Sequence, residues 1–370
     1  MKQKVIISTS LEQHLDDAIK AVTPDRLFLL CDETTAEVCL PKVKTLGCLK
    51  DARLIVIKAG DADKSLEAVS CVWESLQSGG ATRHSMMINL GGGMVTDLGG
   101  FAASTFKRGI HFVNIPTTLL SLVDASVGGK TGINFGGLKN EIGVFNTADV
   151  VILDTQFLDT LCNVEIRSGY AEMIKHGLIY NDPDCGAEGT RERMWAELMN
   201  FDVTAPDLGQ LQRMVAESVL VKERIVEIDP LEHGLRKALN LGHTAGHAFE
   251  SFGMACGERL DGKRNVGVHP VPHGYAVAYG MICELWLSCV KTGFPQDIMR
   301  TTVKFIDEHY GKMPITCDDY ETLFELMTHD KKNTAGTINF TLLSGIGEIV
   351  INQTATKEEI FEALDFYREN

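Results

Sequence analysis

Short apolar runs alternate with helical patterns over the first 150 residues of the chain. Lys4–Ser8 reads as a strand, and Leu11–Val22 repeats its apolar residues with helical period. Arg26–Cys31 reads as a buried strand ending at Asp32, and Arg53–Ile57 as another. A helix is predicted from Lys64 to about Leu76. Ser85–Leu90 is then a strand that runs into three glycines, and Val150–Asp154 is the last strand of the sheet. Strands alternating with helices predict a parallel sheet covered on both faces, with ligands at the carboxyl ends of its strands. From Phe157 the pattern turns almost wholly helical. It is relieved near the end by a hairpin of Thr337–Leu343 and Glu348–Ile351 around Ser344–Gly347. The expected division is an α/β, Rossmann-like domain over 1–155 and a mostly α-helical domain over 156–370.

Composition narrows the class. The 370 residues are 44% hydrophobic and 23% charged, which is ample for a globular core. A net charge of −15 argues against nucleic acid and anionic membrane as partners. Ten cysteines without a CxxC pair fit a reducing cytoplasm. The start, MKQKVIISTSLEQ, has too short an apolar run for a signal peptide, and no run reaches membrane-spanning length.

Candidate chemistry begins at LGHTAGHAFE, Leu241–Glu250. On a helix, His243 and His247 lie one turn apart on one face, aimed at one metal, or one at a metal and one at its substrate. Thr244 stands where a zinc protease needs glutamate. Without further support, two packed or solvated histidines explain the pair better than a metal site does.

Gly91–Asp97, GGGMVTD, sits at a strand end that suits a pyrophosphate. The dinucleotide fingerprint fails, because Thr96 occupies its last glycine position. Gly128-Gly129-Lys130-Thr131 is not a P-loop either, since residue 124 is Asp. What remains is a polar, glycine-rich loop carrying Asp124 and Lys130, followed by Lys139 and Asn140. That basic cluster in an acidic chain suits a small phosphorylated or carboxylated ligand. Further on, Glu172 and Lys175 share a helix face, as a salt bridge or as a metal ligand beside a substrate lysine. Lys222-Glu223-Arg224 opens a helical segment, and Ala255–Pro272 reads as a polar surface loop leading to His273.

Together the blocks GGGMVTDLGGF, FKRG, IPTTLL, VDASVGGKTGIN, LKNEIG, AEMIKHG, LNLGHTAGHA and HGYAVA resemble the 3-dehydroquinate synthase family of sugar phosphate cyclases. The resemblance covers nearly the whole chain and implies an active site in the cleft between two domains. It implies a divalent metal, Zn2+ or Co2+, on Glu172, His243 and His273, which turns His247 into a substrate-side group. Substrate would meet Asp124, Lys130, Lys139, Asn140, Lys175, Lys222, Arg236, Asn240, His247 and Lys332. Among these His247, Lys175, Lys130 and Asn140 would be catalytic, with Arg108 reaching the phosphate held by a neighbouring subunit of a homodimer. NAD would meet Asp32, Asp61, Lys64, Gly92, Gly93, Asp97, Thr117, Thr118 and Thr160, with Lys130 and Lys139 beside it.

The implied reaction converts 3-deoxy-D-arabino-heptulosonate 7-phosphate to 3-dehydroquinate and phosphate, in the shikimate route to aromatic amino acids. It proceeds by transient oxidation at C5, elimination of phosphate, re-reduction, ring opening and an intramolecular aldol. The rival expectations are another sugar phosphate cyclase, or a metal-dependent polyol dehydrogenase of related fold. Three positions depart from the family pattern: Tyr275 replaces a usual Glu, Ser168 a frequent Asn, and Asp61 a usual Glu.

Overall fold

A computed structural model describes residues 3–136, 138–181, 190–257, 269–328 and 337–370. The chain divides into two compact units. One comprises Met1–Cys162 with Asp207–Val219, the other Asn163–Pro206 with Leu220–Asn370.

The first unit alternates β1 (Lys4–Ile7), α1 (Leu11–Val22), β2 (Leu27–Asp32), the short helices α2 (Glu33–Val38) and α3 (Leu40–Val43), and β3 (Arg53–Ile57). It continues through α4 (Leu66–Ser78), β4 (Met86–Gly91), α5 (Gly93–Thr105) and β5 (His111–Pro116). The hairpin β6 (Lys130–Phe135) and β7 (Leu138–Phe145) and then β8 (Val150–Leu153) complete it. Six strands form one sheet in the order β1-β8-β5-β4-β2-β3, and every neighbouring pair is parallel. The core strands β4 and β8 are buried along their whole length, as expected of strands covered on both faces. On α1, Leu11, Leu15 and Ala18 recur with helical period and enter a cluster with Leu29, Ile88 and Ile152 of the sheet.

Two expectations need correction here. Arg53–Ile57 is not a buried strand: β3 is the sheet's edge, and Leu54 and Val56 are exposed. Nor is the segment after Asp124 a loop. Asp124 lies in a helical turn, Ser121–Ala125, and Lys130 opens an antiparallel hairpin whose second strand carries Lys139 and Asn140.

The second unit holds α6 (Asn163–Ile179), α7 (Thr190–Met199), part of α8 (Leu208–Ile228), α9 (His243–Gly257), α10 (His273–Thr292), α11 (Gln296–Tyr310) and α12 (Tyr320–Thr328). The hairpin β9 (Asn339–Gly345) and β10 (Glu348–Thr354) and the helix α13 (Lys357–Glu369) close it. Lys222 therefore sits well inside α8, because the helix begins before the segment the sequence pattern marked. The loop expected from Ala255 also starts later, since α9 runs to Gly257. Residues 258–268 of that loop lie outside the described residues, as does Lys332.

Helix α10 is apolar around its circumference and buried from Ala276 to Leu285, so it forms the centre of its unit, against α6, α9, α11, α13 and β9. Two of its contacts are backbone on backbone. A Cβ at Gly280 would lie 2.0 Å from the Gly242 carbonyl oxygen and 2.5 Å from the Gly246 nitrogen. One at Gly274 would lie 1.8 Å from the Ser168 carbonyl oxygen. Only glycine lets α9 and α6 approach α10 this closely. Among the described residues no helix is long and apolar enough to cross a membrane.

Candidate functional site

Three helices of the second unit converge on Glu172. It lies on α6 and is completely buried. His243 opens α9, and His273 opens α10. The Nε2 atoms of both histidines lie 3.6 Å from Glu172 Oε1, and the three ligand atoms all fall within 4.8 Å of one another. Ligands about 2 Å from a tetrahedral ion stand ~3.3 Å apart, close to what is seen here.

The donor chemistry fits a metal as well. Glu172 Oε1 is buried and has no hydrogen-bond partner, an expensive state for a carboxylate oxygen unless a cation faces it. His243 Nδ1 lies 3.2 Å from the Leu241 carbonyl oxygen. A carbonyl only accepts, so Nδ1 carries the hydrogen and Nε2 keeps its lone pair for the cluster. His273 Nδ1 faces Glu250 Oε2 at 3.4 Å, the carboxylate–histidine arrangement that supports a metal-binding imidazole.

Charge balance comes from Lys175, one helical turn beyond Glu172 and equally sealed, which donates a hydrogen bond to Glu172 Oε2. Burial alone would raise the Glu172 carboxyl. The Lys175 ammonium and then His273 outweigh it, and the group stays well below the usual carboxylate range. Burial pulls the His273 imidazole down, but the neighbouring carboxylates of Glu172 and Glu250 push it up to about 10. A metal held here would displace that proton. The His247 ring stands beside these ligands, with centroids 5.4 Å from His243 and 6.0 Å from His273.

Other expected substrate residues line the same unit. Arg236 and Asn240 occupy a 3-10 turn, Leu235–Asn240, that contacts α6 and leads into α9. Asp229 holds that turn: the amides of Gly234 and Arg236 donate to its Oδ2 at 2.7 and 3.0 Å. The Asn240 amide group donates to Glu232 Oε1 at 2.8 Å. Lys222 is buried within α8.

Two of the departing positions have structural uses. Ser168 Oγ accepts the Gly274 amide at 3.2 Å and so fixes the start of α10 on α6. Tyr275 packs edge-on against Tyr310, with ring centroids 5.0 Å apart. Sequence reasoning missed Glu250, although it stands in the quoted LGHTAGHAFE block. Its signal was spacing, two helical turns beyond His243.

The first unit groups a second set. Its strand order reverses between β2 and β4, and the carboxyl ends of these strands carry Asp32 and the Gly91–Gly93 turn. That is where open parallel sheets bind nucleotides. Gly92 is the N-cap of α5 and offers no side chain to its first amides. A Cβ there would lie 2.9 Å from Thr118 Cγ2, so Thr118 stands directly over the turn. Thr117 follows β5 and donates its amide to the Gly91 carbonyl at 3.0 Å.

Beside this turn, Lys64 Nζ pairs with Asp97 Oδ2 at 2.6 Å and also donates to Asn140 Oδ1. Lys139 Nζ lies 3.3 Å from Asp61 Oδ2. Asn134 ties the β6–β7 hairpin to the Asp61–Lys64 turn through the Asp61 carbonyl, at 2.8 Å. Asp97 and Lys130 line one small, water-sized pocket with Thr96, Asn114 and Asn146.

Asp32 caps α2, accepting the Thr35 amide at 2.7 Å. Asp124 stays in its helical turn, and Thr160 ends the turn Thr155–Thr160. Lys107 and Arg108 adopt left-handed backbone, with φ of 50° and 70°, before Gly109. Among non-glycine residues such conformations cluster at functional positions.

A family model described as 3-dehydroquinate synthase N-terminal matches residues 54–168, and one described as 3-dehydroquinate synthase C-terminal matches residues 169–333. A 3-dehydroquinate synthase of Parabacteroides distasonis is 48% identical over 369 residues, 100% of this chain and 99% of that protein. Among solved structures, a 2-deoxy-scyllo-inosose synthase complexed with carbaglucose-6-phosphate, NAD+ and Co2+ superposes with a TM-score of 0.79 at 22% identity, covering 99% and 96% of the two chains. A 2-epi-5-epi-valiolone synthase from Streptomyces hygroscopicus, with NAD+ and Zn2+ bound, gives 0.77 at 25% identity, covering 100% and 97%.

Proposed function

The chain belongs to the 3-dehydroquinate synthase family, and from that premise we propose that it converts 3-deoxy-D-arabino-heptulosonate 7-phosphate to 3-dehydroquinate and phosphate, using NAD and a divalent metal. The observation that carries this reading is the cluster of Glu172, His243 and His273, with a buried carboxylate oxygen lacking a hydrogen-bond partner and aimed at two imidazoles. When bound, NAD supplies a reversible hydride acceptor and the metal, Zn2+ or Co2+, a Lewis acid.

The protein's own residues supply the rest. Glu172, His243 and His273 hold the metal, and buried Lys175 keeps Glu172 anionic. His247 holds a proton beside the substrate hydroxyls. Lys130, Lys139, Asn140, Lys222, Arg236 and Asn240 bind the phosphate and carboxylate of the substrate, with Asp124 on a hydroxyl and Lys332 as a further contact. Fixing both anionic ends lets one site serve successive steps without release. Asp32, Asp61, Lys64, Gly92, Gly93, Asp97, Thr117, Thr118 and Thr160 hold NAD, favoured by the side-chain-free N-terminus of α5. Two copies of the chain pair, and Arg108 of each serves the phosphate of the other. Eight of the ten cysteines are free thiols, which supports a place in the cytoplasm.

Among cyclases, 48% identity to a 3-dehydroquinate synthase against 22% and 25% to the other two activities supports this product. Labelling separates the reading from a polyol dehydrogenase. Substrate deuterated at C5 should give product with the label retained at the matching carbon. One phosphate should appear per turnover, and NAD should be needed only in catalytic amount. NADH accumulating one for one with product would overturn the proposal.

A further inference from the structure

One buried acid takes no part in the scheme above. Glu284 lies on α10, about three turns beyond His273, and is completely buried. Its Oε2 accepts the Gly242 amide at 2.6 Å, and its Oε1 accepts the amides of Thr244 and Ala245 at 3.0 and 3.1 Å. These amides belong to the opening of α9, the helix that begins at His243. The first turn of a helix leaves its amides without intrahelical acceptors and carries partial positive charge. A side chain just before the helix normally meets that need. Here the preceding residue is Gly242, which has none, and the acceptor comes instead from the helix that bears another ligand.

We propose that Glu284 is a positioning residue that sets His243 against His273 by clamping the first turn of α9 onto α10. Three amide hydrogen bonds to one carboxylate fix both the rotation and the rise of α9 where His243 projects. The backbone contact of Gly280 with Gly242 and Gly246 sets the spacing of the same two helices, and the carboxylate sets their register. An amide in its place has a single acceptor oxygen, and its NH2 would face an N–H, so Glu284→Gln cannot keep all three bonds. Glu284→Asp keeps the charge but withdraws it by one methylene. The inference rests on reading Glu172, His243 and His273 as the metal ligands.

The test uses the full-length protein stripped of metal, with Co2+ as the probe. Visible absorbance of bound Co2+ reports both affinity and ligand geometry, NAD binding is measured in parallel, and amide hydrogen exchange is followed at Thr244 and Ala245 without metal. Both variants should bind Co2+ about tenfold or more weakly, with an altered visible band, unchanged NAD affinity and faster exchange at those two amides. Should Glu284→Gln fail to fold, Glu284→Asp carries the test alone. Wild-type Co2+ affinity and spectrum in either folded variant overturn the proposal. If the wild-type protein takes up no Co2+, the ligand assignment fails separately. Unchanged exchange at Thr244 and Ala245 then overturns the role of Glu284.

Discussion

Glu172 and Lys175, one turn apart on α6 and both closed to solvent, share a hydrogen bond that leaves the other carboxylate oxygen to two histidines. The pair divides the labour of one carboxylate. One oxygen is neutralised by the chain itself, and the other faces two imidazoles. Removing the ammonium leaves a buried charge without its partner. Lys175→Met should therefore destabilise the metal-free protein by roughly 3 kcal/mol, measured by denaturant unfolding in the presence of a chelator. A change within error of zero would mean that the pair contributes nothing to the apo fold.

The ligand set makes His243 and His247 separable. His243→Ala leaves two ligands and should lose tightly bound zinc together with activity. His247→Ala should retain zinc and lose turnover, by about 100-fold or more for a group that handles a proton. Metal analysis of purified variants beside steady-state rates distinguishes them. Equal zinc content in wild type and His243→Ala would remove His243 from the ligand set.

Closeness of α9 and α10 predicts intolerance at Gly280. A methyl group there meets backbone atoms, which cannot rotate aside. Gly280→Ala should cost about 1–3 kcal/mol of stability and weaken Co2+ binding, while NAD affinity is unchanged. Unfolding curves and parallel titrations of Co2+ and NAD check this.

Lys64 is almost fully buried and joins Asp97 to Asn140. Lys64→Met removes the ammonium beside the Asp97 carboxylate and releases the hairpin strand that carries Asn140. The expected result is weaker NAD binding, by about tenfold for the loss of one charge-assisted contact, with Co2+ affinity preserved. Wild-type NAD affinity in the variant would argue that this network is structural only.

Asp229 supplies a pH signature away from the metal. Burial raises its carboxyl, but the amides of Gly234, Arg236 and His233 outweigh burial and lower it. A depressed carboxylate stabilises the fold above its unfolded pKa, and that stabilisation is lost as pH falls through the folded pKa. Asp229→Asn should therefore be less stable than wild type at neutral pH, and the gap should close in acid, below the usual carboxylate range. Because the same amides hold the Arg236 turn, the variant should also raise KM for substrate more than it lowers kcat. Parallel stability curves across the acid range would fail the prediction.

Much of the first unit was legible in the sequence because strands buried on both faces read as continuous apolar runs. Helix α1 was found to the residue, since its apolar stripe and its ends coincide. The β6–β7 hairpin was not, because β7 is largely exposed and the segment is rich in glycine and polar residues, so pairing rather than burial defines it. The pattern marked Arg53–Ile57 as a buried strand, whereas Leu54 and Val56 are exposed. Glu172, His243 and His273 come from three separate helices, and no local spacing joins them. Only the resemblance of whole blocks put them together, and it carried no information on Glu250 or Glu284. A single acid in the apolar run of α10 was the sole trace of Glu284.

The left-handed backbone at Lys107 and Arg108 has a consequence for anyone improving this protein in the laboratory. Each non-glycine residue in that conformation gives up about 1 kcal/mol that a glycine would recover. A variant library screened for survival at elevated temperature should therefore enrich Arg108→Gly, and with it discard the guanidinium. Given the proposed role of Arg108, robustness and turnover pull in opposite directions at this one bend, so heat-selected descendants need an activity screen alongside.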